Sequence, residues 1–174
     1  MTQQTAPTKA ELLAQLRDGG AQALGTLRAL DAAAFEQGRY ENGWNGRQIL
    51  AHLASIEWTY QRLIDLAREV QSGEPAVPKP PTPASAPAAA GTPQIMNYNE
   101  RQVEKRAGAS VAELLAELEE NRASTISAVE AADEALFSVP IRSAGGAQGP
   151  LASVLNYVAV QHVAMHVADI AGQT

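Results

Sequence analysis

Residues 155–171 read LNYVAVQHVAMHVADIA, and the fold turns on how this stretch is taken. Apolar side chains recur at three- and four-residue steps through Leu151, Val154, Leu155 and Val158, and His162, Met165, His166 and Asp169 continue the same stripe. That spacing is one face of an α-helix, not the alternation of a strand. Pro150 is expected as the first helical residue, where its fixed φ suits the helix and its missing donor is no loss. His162 and His166 are two of the three histidines in the chain. Four residues apart, they stand one above the other on one helix face. Two imidazoles so placed can bind one divalent cation, given a third ligand from elsewhere.

The third histidine lies on a second helix of the same kind. Asn45 and Gln48 have the form of a capping box. From there Ile49, His52, Leu53, Ile56, Tyr60, Leu63, Ala67 and Val70 make an inward stripe, with Arg62, Arg68 and Glu69 outside. Ser72-Gly73 should end that helix. Thr8 and Glu11 open another helix, from about Lys9 to Leu30, in which Gly19 and Gly20 mark either a close crossing or a bend. Asp31 caps a short turn through Phe35, followed by a turn-rich loop, GRYENGWNG. Ser110 and Glu113 open a helix running to about Ala132. Its apolar positions Val111, Leu114, Leu115, Leu118, Ile126 and Val129 are interrupted by Asn121, Arg122, Ser124 and Thr125.

Between the second and third long helices, residues 74–93 turn abruptly to proline and alanine, a composition that gives up backbone donors and offers little to bury. We read them as a flexible linker, with a lid as the second reading. Asn97 to Arg106 should form a short charged helix ended by Gly108, and SVPIRSAGGAQGP (138–150) reads as turn and loop. With strand signals nearly absent, four long amphipathic helices in 174 residues make one all-α domain. The architecture is a four-helix bundle whose long second connection can serve as a crossover.

Composition narrows the function. There is no cysteine, so any metal site must use nitrogen and oxygen ligands. A formal net charge of −6 argues against nucleic acid or an anionic membrane as partner. No signal pattern opens the chain and no apolar run has the length of a membrane span, so the expected location is the cytoplasm. All three histidines fall on stripes that face inward, so a bundle brings His52, His162 and His166 together in its core. Three neutral imidazoles plus a position open to water make a catalytic rather than a structural metal centre. Imidazoles suit zinc, nickel or iron, so the metal is not read from the ligands. Asp169, on the face of the histidine pair, is a candidate to orient an imidazole, and Gln48, one turn before His52, is similarly placed. The plainer alternative is that these are satisfied core residues. Trp44 and Trp58 read as packing residues. Arg122 reads as holding an anionic substrate group, as pairing with a carboxylate or, more simply, as part of a solvated face. No phosphate loop, nucleophile motif or carboxylate pair narrows the substrate.

The segment GWNGRQILAHLASIEW, with a tryptophan eight residues before a His-Leu, together with the closing LNYVAVQHVAMHVADI, resembles the DinB-like superfamily of bacterial four-helix bundles. The resemblance covers most of the chain apart from the linker. It implies one divalent metal held by His52, His162 and His166, none of which departs from the pattern. It also implies a small-molecule substrate, and a homodimer formed through an exposed helix face. Members include thiol-dependent S-transferases and isomerases that use bacillithiol or mycothiol, hydrolases, and a self-resistance cyclopropane hydrolase. The expected function is thus a metal-dependent hydrolase or a thiol-dependent transferase. The alternatives are a non-enzymatic bundle that binds a metal or small ligand, and a helical interaction protein with structural histidines.

Overall fold

The computed structural model describes residues 6–38, 43–73 and 93–173, with side chains from residue 98 onward in the last segment. Among the described residues eight α-helices form: α1 Lys9–Ala29, α2 Ala32–Glu36, α3 Gly46–Glu57, α4 Gln61–Ser72, α5 Pro93–Lys105, α6 Val111–Ala131, α7 Leu151–Asn156 and α8 His162–Ala171. A 3₁₀ turn, Trp58–Tyr60, joins α3 to α4 in one rod, and a π-turn, Tyr157–Gln161, joins α7 to α8 in another. The three capping boxes read from sequence all close, at Thr8–Glu11, Asn45–Gln48 and Ser110–Glu113. Pro150 stands one place earlier than expected, as the cap before Leu151. The Pro/Ala-rich connection lies outside the described residues except for Pro93, which opens α5.

The four rods are α1, α3–α4, α6 and α7–α8. Rods α1 and α3–α4 each pack against both α6 and α7–α8, so α1 stands diagonally across from α3–α4. Two apolar clusters give the directions. One joins Leu12 and Leu16 to Ile64, Ala67, Val129, Leu151 and Leu155. The other joins Leu24 and Leu27 to Ile49, Leu50, Leu114, Val163 and Ile170. Each cluster takes the start of some rods and the end of others, so α1 and α7–α8 run one way and α3–α4 and α6 the other. Consecutive rods α3–α4 and α6 are therefore parallel neighbours, which requires the chain to cross the length of the bundle between them. Among the described residues α5, which precedes α6, packs on α3.

Between the two clusters lies a polar layer. Arg122 is buried, not solvated, and its guanidinium meets Glu57, which has no exposed surface, through Nε–Oε1 at 3.0 Å and Nη2–Oε2 at 3.0 Å. Asn121 donates to the Ala54 carbonyl at 3.0 Å and Thr125 to that of Glu57 at 3.3 Å. Gly20 makes room for this pair, since a Cβ there would sit 3.1 Å from the Arg122 Cγ. Gly20 thus serves a close crossing, whereas a Cβ at Gly19 would make only an ordinary contact, 3.7 Å from Val160 Cγ1. Gly46 is tighter still, with a Cβ meeting the Ala34 carbonyl oxygen at 2.8 Å and the Phe35 Cα at 3.0 Å, so α3 starts hard against α2.

The segment expected as loop contains a small hairpin, Pro140–Arg142 antiparallel to Gln148–Pro150. Its strands are three residues each, too short to show a period, and Ile141 carries it into the core at one end of the bundle. Val70 and Met165, both expected inside, are 48% and 51% exposed. Leu151–Ala171 has the length and composition of a membrane span, contrary to the reading of apolar runs, and here its apolar side closes the core.

Candidate metal centre

The three histidines converge where rods α3–α4 and α7–α8 pack. His52 projects from the middle of α3, and His162 and His166 from the first two turns of α8. The ring centroids stand 5.7 Å apart for His52–His162, 5.3 Å for His52–His166 and 4.3 Å for His162–His166, each pair close to edge-on. One nitrogen from each ring falls within 4.8 Å of the others. Metal–nitrogen bonds of about 2.0–2.1 Å set three ligand nitrogens roughly 3–4 Å apart, so small ring movements suffice for one ion. His52 and His166 are buried, and His162 is half-buried.

Two details bear on whether a metal fits. The His52 Nδ1 is buried with no hydrogen-bond partner, which is costly for an imidazole that is merely packed. The His166 Nδ1 stands 3.1 Å from the Asp169 carboxylate. A carboxylate only accepts, so Nδ1 carries the proton and the Nε2 lone pair of neutral His166 points inward. That Nε2 faces the His162 Nε2 at 2.9 Å. A carboxylate behind a histidine is the arrangement that orients and strengthens a metal-ligating imidazole. The donor set, three nitrogens with one carboxylate behind them, fits a borderline transition ion.

Burial, then the neighbouring imidazoles, push His52 down to about 3. The same causes push His162 down to about 4 against the pull of Asp169. Burial also lowers His166, which Asp169 opposes. All three are thus neutral at pH 7, with lone pairs available and no proton to displace. The unfolded chain takes up protons below about 6.5, where the folded rings resist. These groups therefore stabilise the metal-free fold fully above pH 6.5, and their contribution is lost as pH falls toward about 4 and then 3. Glu57, which burial pushes up to about 7 against the pull of Arg122, runs the other way, favouring the fold as pH falls through the same range. Three groups outweigh one, so denaturant melts from pH 7 to 4 should show falling stability in the metal-free protein. A flat profile would contradict the neutral, desolvated cluster.

Of the weaker sequence candidates, Asp169 lies against His166 as described. The Gln48 Oε1 instead accepts from the Asn45 amide at 2.9 Å, closing the helix cap. The Trp44 ring packs 5.6 Å from that of His52 and also lines a recess of about 240 Å³ with Arg47, Gln48, Ala51 and residues of α5. Trp58 is 42% exposed. The sequence reading missed Glu57 altogether. Its signal was present: Glu57 stands at helical spacing with Leu53, Tyr60, Ile64 and Ala67, an acid in a buried apolar series.

A four-helix bundle carrying a buried three-histidine cluster between two of its rods is the class that fold and site define. The sequence matches the DinB superfamily over residues 39–170, and the chain belongs to that family. No curated protein matches it. Among solved structures it is similar to a mycothiol-dependent maleylpyruvate isomerase, with a TM-score of 0.65 at 19% identity over 94% of this chain. It spans 61% of that isomerase's length. It is also similar to YfiT from Bacillus subtilis, described as a probable metal-dependent hydrolase with an unusual four-helix bundle topology. There the TM-score is 0.64 at 15% identity, over 99% of this chain and 89% of YfiT.

Proposed function

We propose that this protein is a metal-dependent enzyme acting on a small molecule, with one divalent transition ion held by His52, His162 and His166. The observation that carries the reading is the meeting of every histidine of the chain at one place, with Asp169 behind His166. A metal bound there supplies Lewis acidity at an open coordination position. The chain's own part is to hold three imidazoles neutral, to fix the His166 tautomer through Asp169, and to leave His162 half-exposed as the approach from solvent. Reaction types that fit are hydrolysis and transfer to a low-molecular-weight thiol; likeness to a thiol-using isomerase and to a hydrolase supports both. A requirement for added thiol separates them.

Elemental analysis of protein purified without an affinity tag tests the reading, alongside His162→Ala. About one equivalent of transition metal in the wild type, lost in the variant, is expected. No metal in either, and no uptake of zinc or nickel on titration, would return the histidines to the role of core residues.

A further inference from the structure

Among the buried residues of the last rod, Leu151, Leu155, Ala159, Val163 and Val167 form one series spaced four apart. In a straight α-helix such a series drifts by roughly 160° over its length, too far to stay on one face. The π-turn at Tyr157–Gln161 takes up one extra residue and brings the two halves back into phase. It is also what expels Met165 and sets His162 at the seam with α3 instead of the bundle centre. Packing on either side requires the extra residue but leaves room in where the wide turn falls. Shifted one turn toward the C-terminus, it would leave His162 in the phase of the upstream half, swung by roughly 100° away from His166. Burial of Val163 resists that shift. A second restraint acts on the turn itself: the Tyr60 hydroxyl, on the 3₁₀ turn of the facing rod, donates to the Val158 carbonyl at 2.6 Å. From the other side Asn156 donates to Gln15 at 2.7 Å and accepts from Gln161 at 2.5 Å.

We propose that Tyr60 is a positioning residue for the histidine cluster: its bond to Val158 keeps the π-turn ahead of His162 and so keeps that imidazole turned toward His52 and His166. The proposal rests on the metal reading above, and extends it to a residue that touches no ligand. Full-length wild type, Tyr60→Phe and Ile64→Val are compared by zinc competition against a chromophoric chelator. The cobalt(II) spectrum and, in metal-free protein, the magnetic contact between the His162 and His166 rings are also recorded. Tyr60→Phe should bind zinc about tenfold more weakly, with an altered cobalt spectrum and a weakened ring contact. Ile64→Val, a buried change one turn along, should lower the melting temperature yet keep wild-type affinity. Deleting Gln161 removes the extra residue, so with or without the Tyr60 hydroxyl the deletion chain should bind zinc alike. The idea fails if Tyr60→Phe keeps the ring contact and an affinity within about twofold of wild type, or if Ile64→Val weakens zinc as much. A wild type that takes up no zinc would defeat the metal reading instead, and the ring contact in metal-free protein would then decide the role of Tyr60.

Discussion

Glu57→Ala should cost about 3–5 kcal/mol at pH 8, because it strands the Arg122 guanidinium without a counter-charge. Both partners are almost wholly buried, and Arg122 Nη1 already lacks a hydrogen-bond partner. A domain with a total stability of about 5–15 kcal/mol would lose a large share of it. The net contribution of the pair is much smaller than the cost of breaking it, since desolvating two charges offsets their attraction. The double variant Glu57→Leu with Arg122→Met should therefore recover most of the loss. Urea unfolding of the three chains decides the matter. If the single variant is within about 1 kcal/mol of wild type, the guanidinium has found water and the layer is not dry.

The second large effect is on heat stability with metal. A ligand that binds only the folded state stabilises it by about 4 kcal/mol at a thousandfold excess over its dissociation constant. For a chain of this size that raises the melting temperature by roughly 10 °C. Wild type should show this shift with zinc. His52→Ala, which removes the ligand proposed on α3, should show little or none while keeping its helical circular dichroism. A full shift in the variant would mean that His162 and His166 bind the ion without α3, and that the site is not a three-histidine centre.

Much of the fold was legible because its signals are local. Thr8, Asn45 and Ser110 each announce a helix start with an acid or amide three residues on. The i, i+4 histidines and the inward stripe of the second helix together foretold that the three rings would meet. What escaped were features set by tertiary packing. The π-turn leaves no composition signal; only the choice between burying Met165 and burying Val163 betrays it, and that choice is made by neighbouring rods. For Arg122 the simpler reading was a solvated face, because a charge is usually solvated, and the structure bears out another, a carboxylate partner; Leu118, Arg122, Thr125 and Val129 keep helical spacing. A helix packed on two sides has a buried face wider than one apolar stripe, and the polar residues at its edge, Glu57 and Arg122, are hidden by reading the stripe alone.

The order of rods around the bundle has a kinetic consequence. His52 and its two partners are more than a hundred residues apart in the chain, on rods that meet only after the crossover has been made. Contacts of such long separation form late, after much loop-closure entropy has been overcome. During synthesis, residues up to about 150 can collapse around α1, α3–α4 and α6 with the cluster still two-thirds missing. A nascent or truncated chain offers one isolated imidazole on α3, a weak and unselective ligand. Strong metal uptake is thus expected to report that the last rod has docked, which would make zinc retention a simple assay for completed assembly.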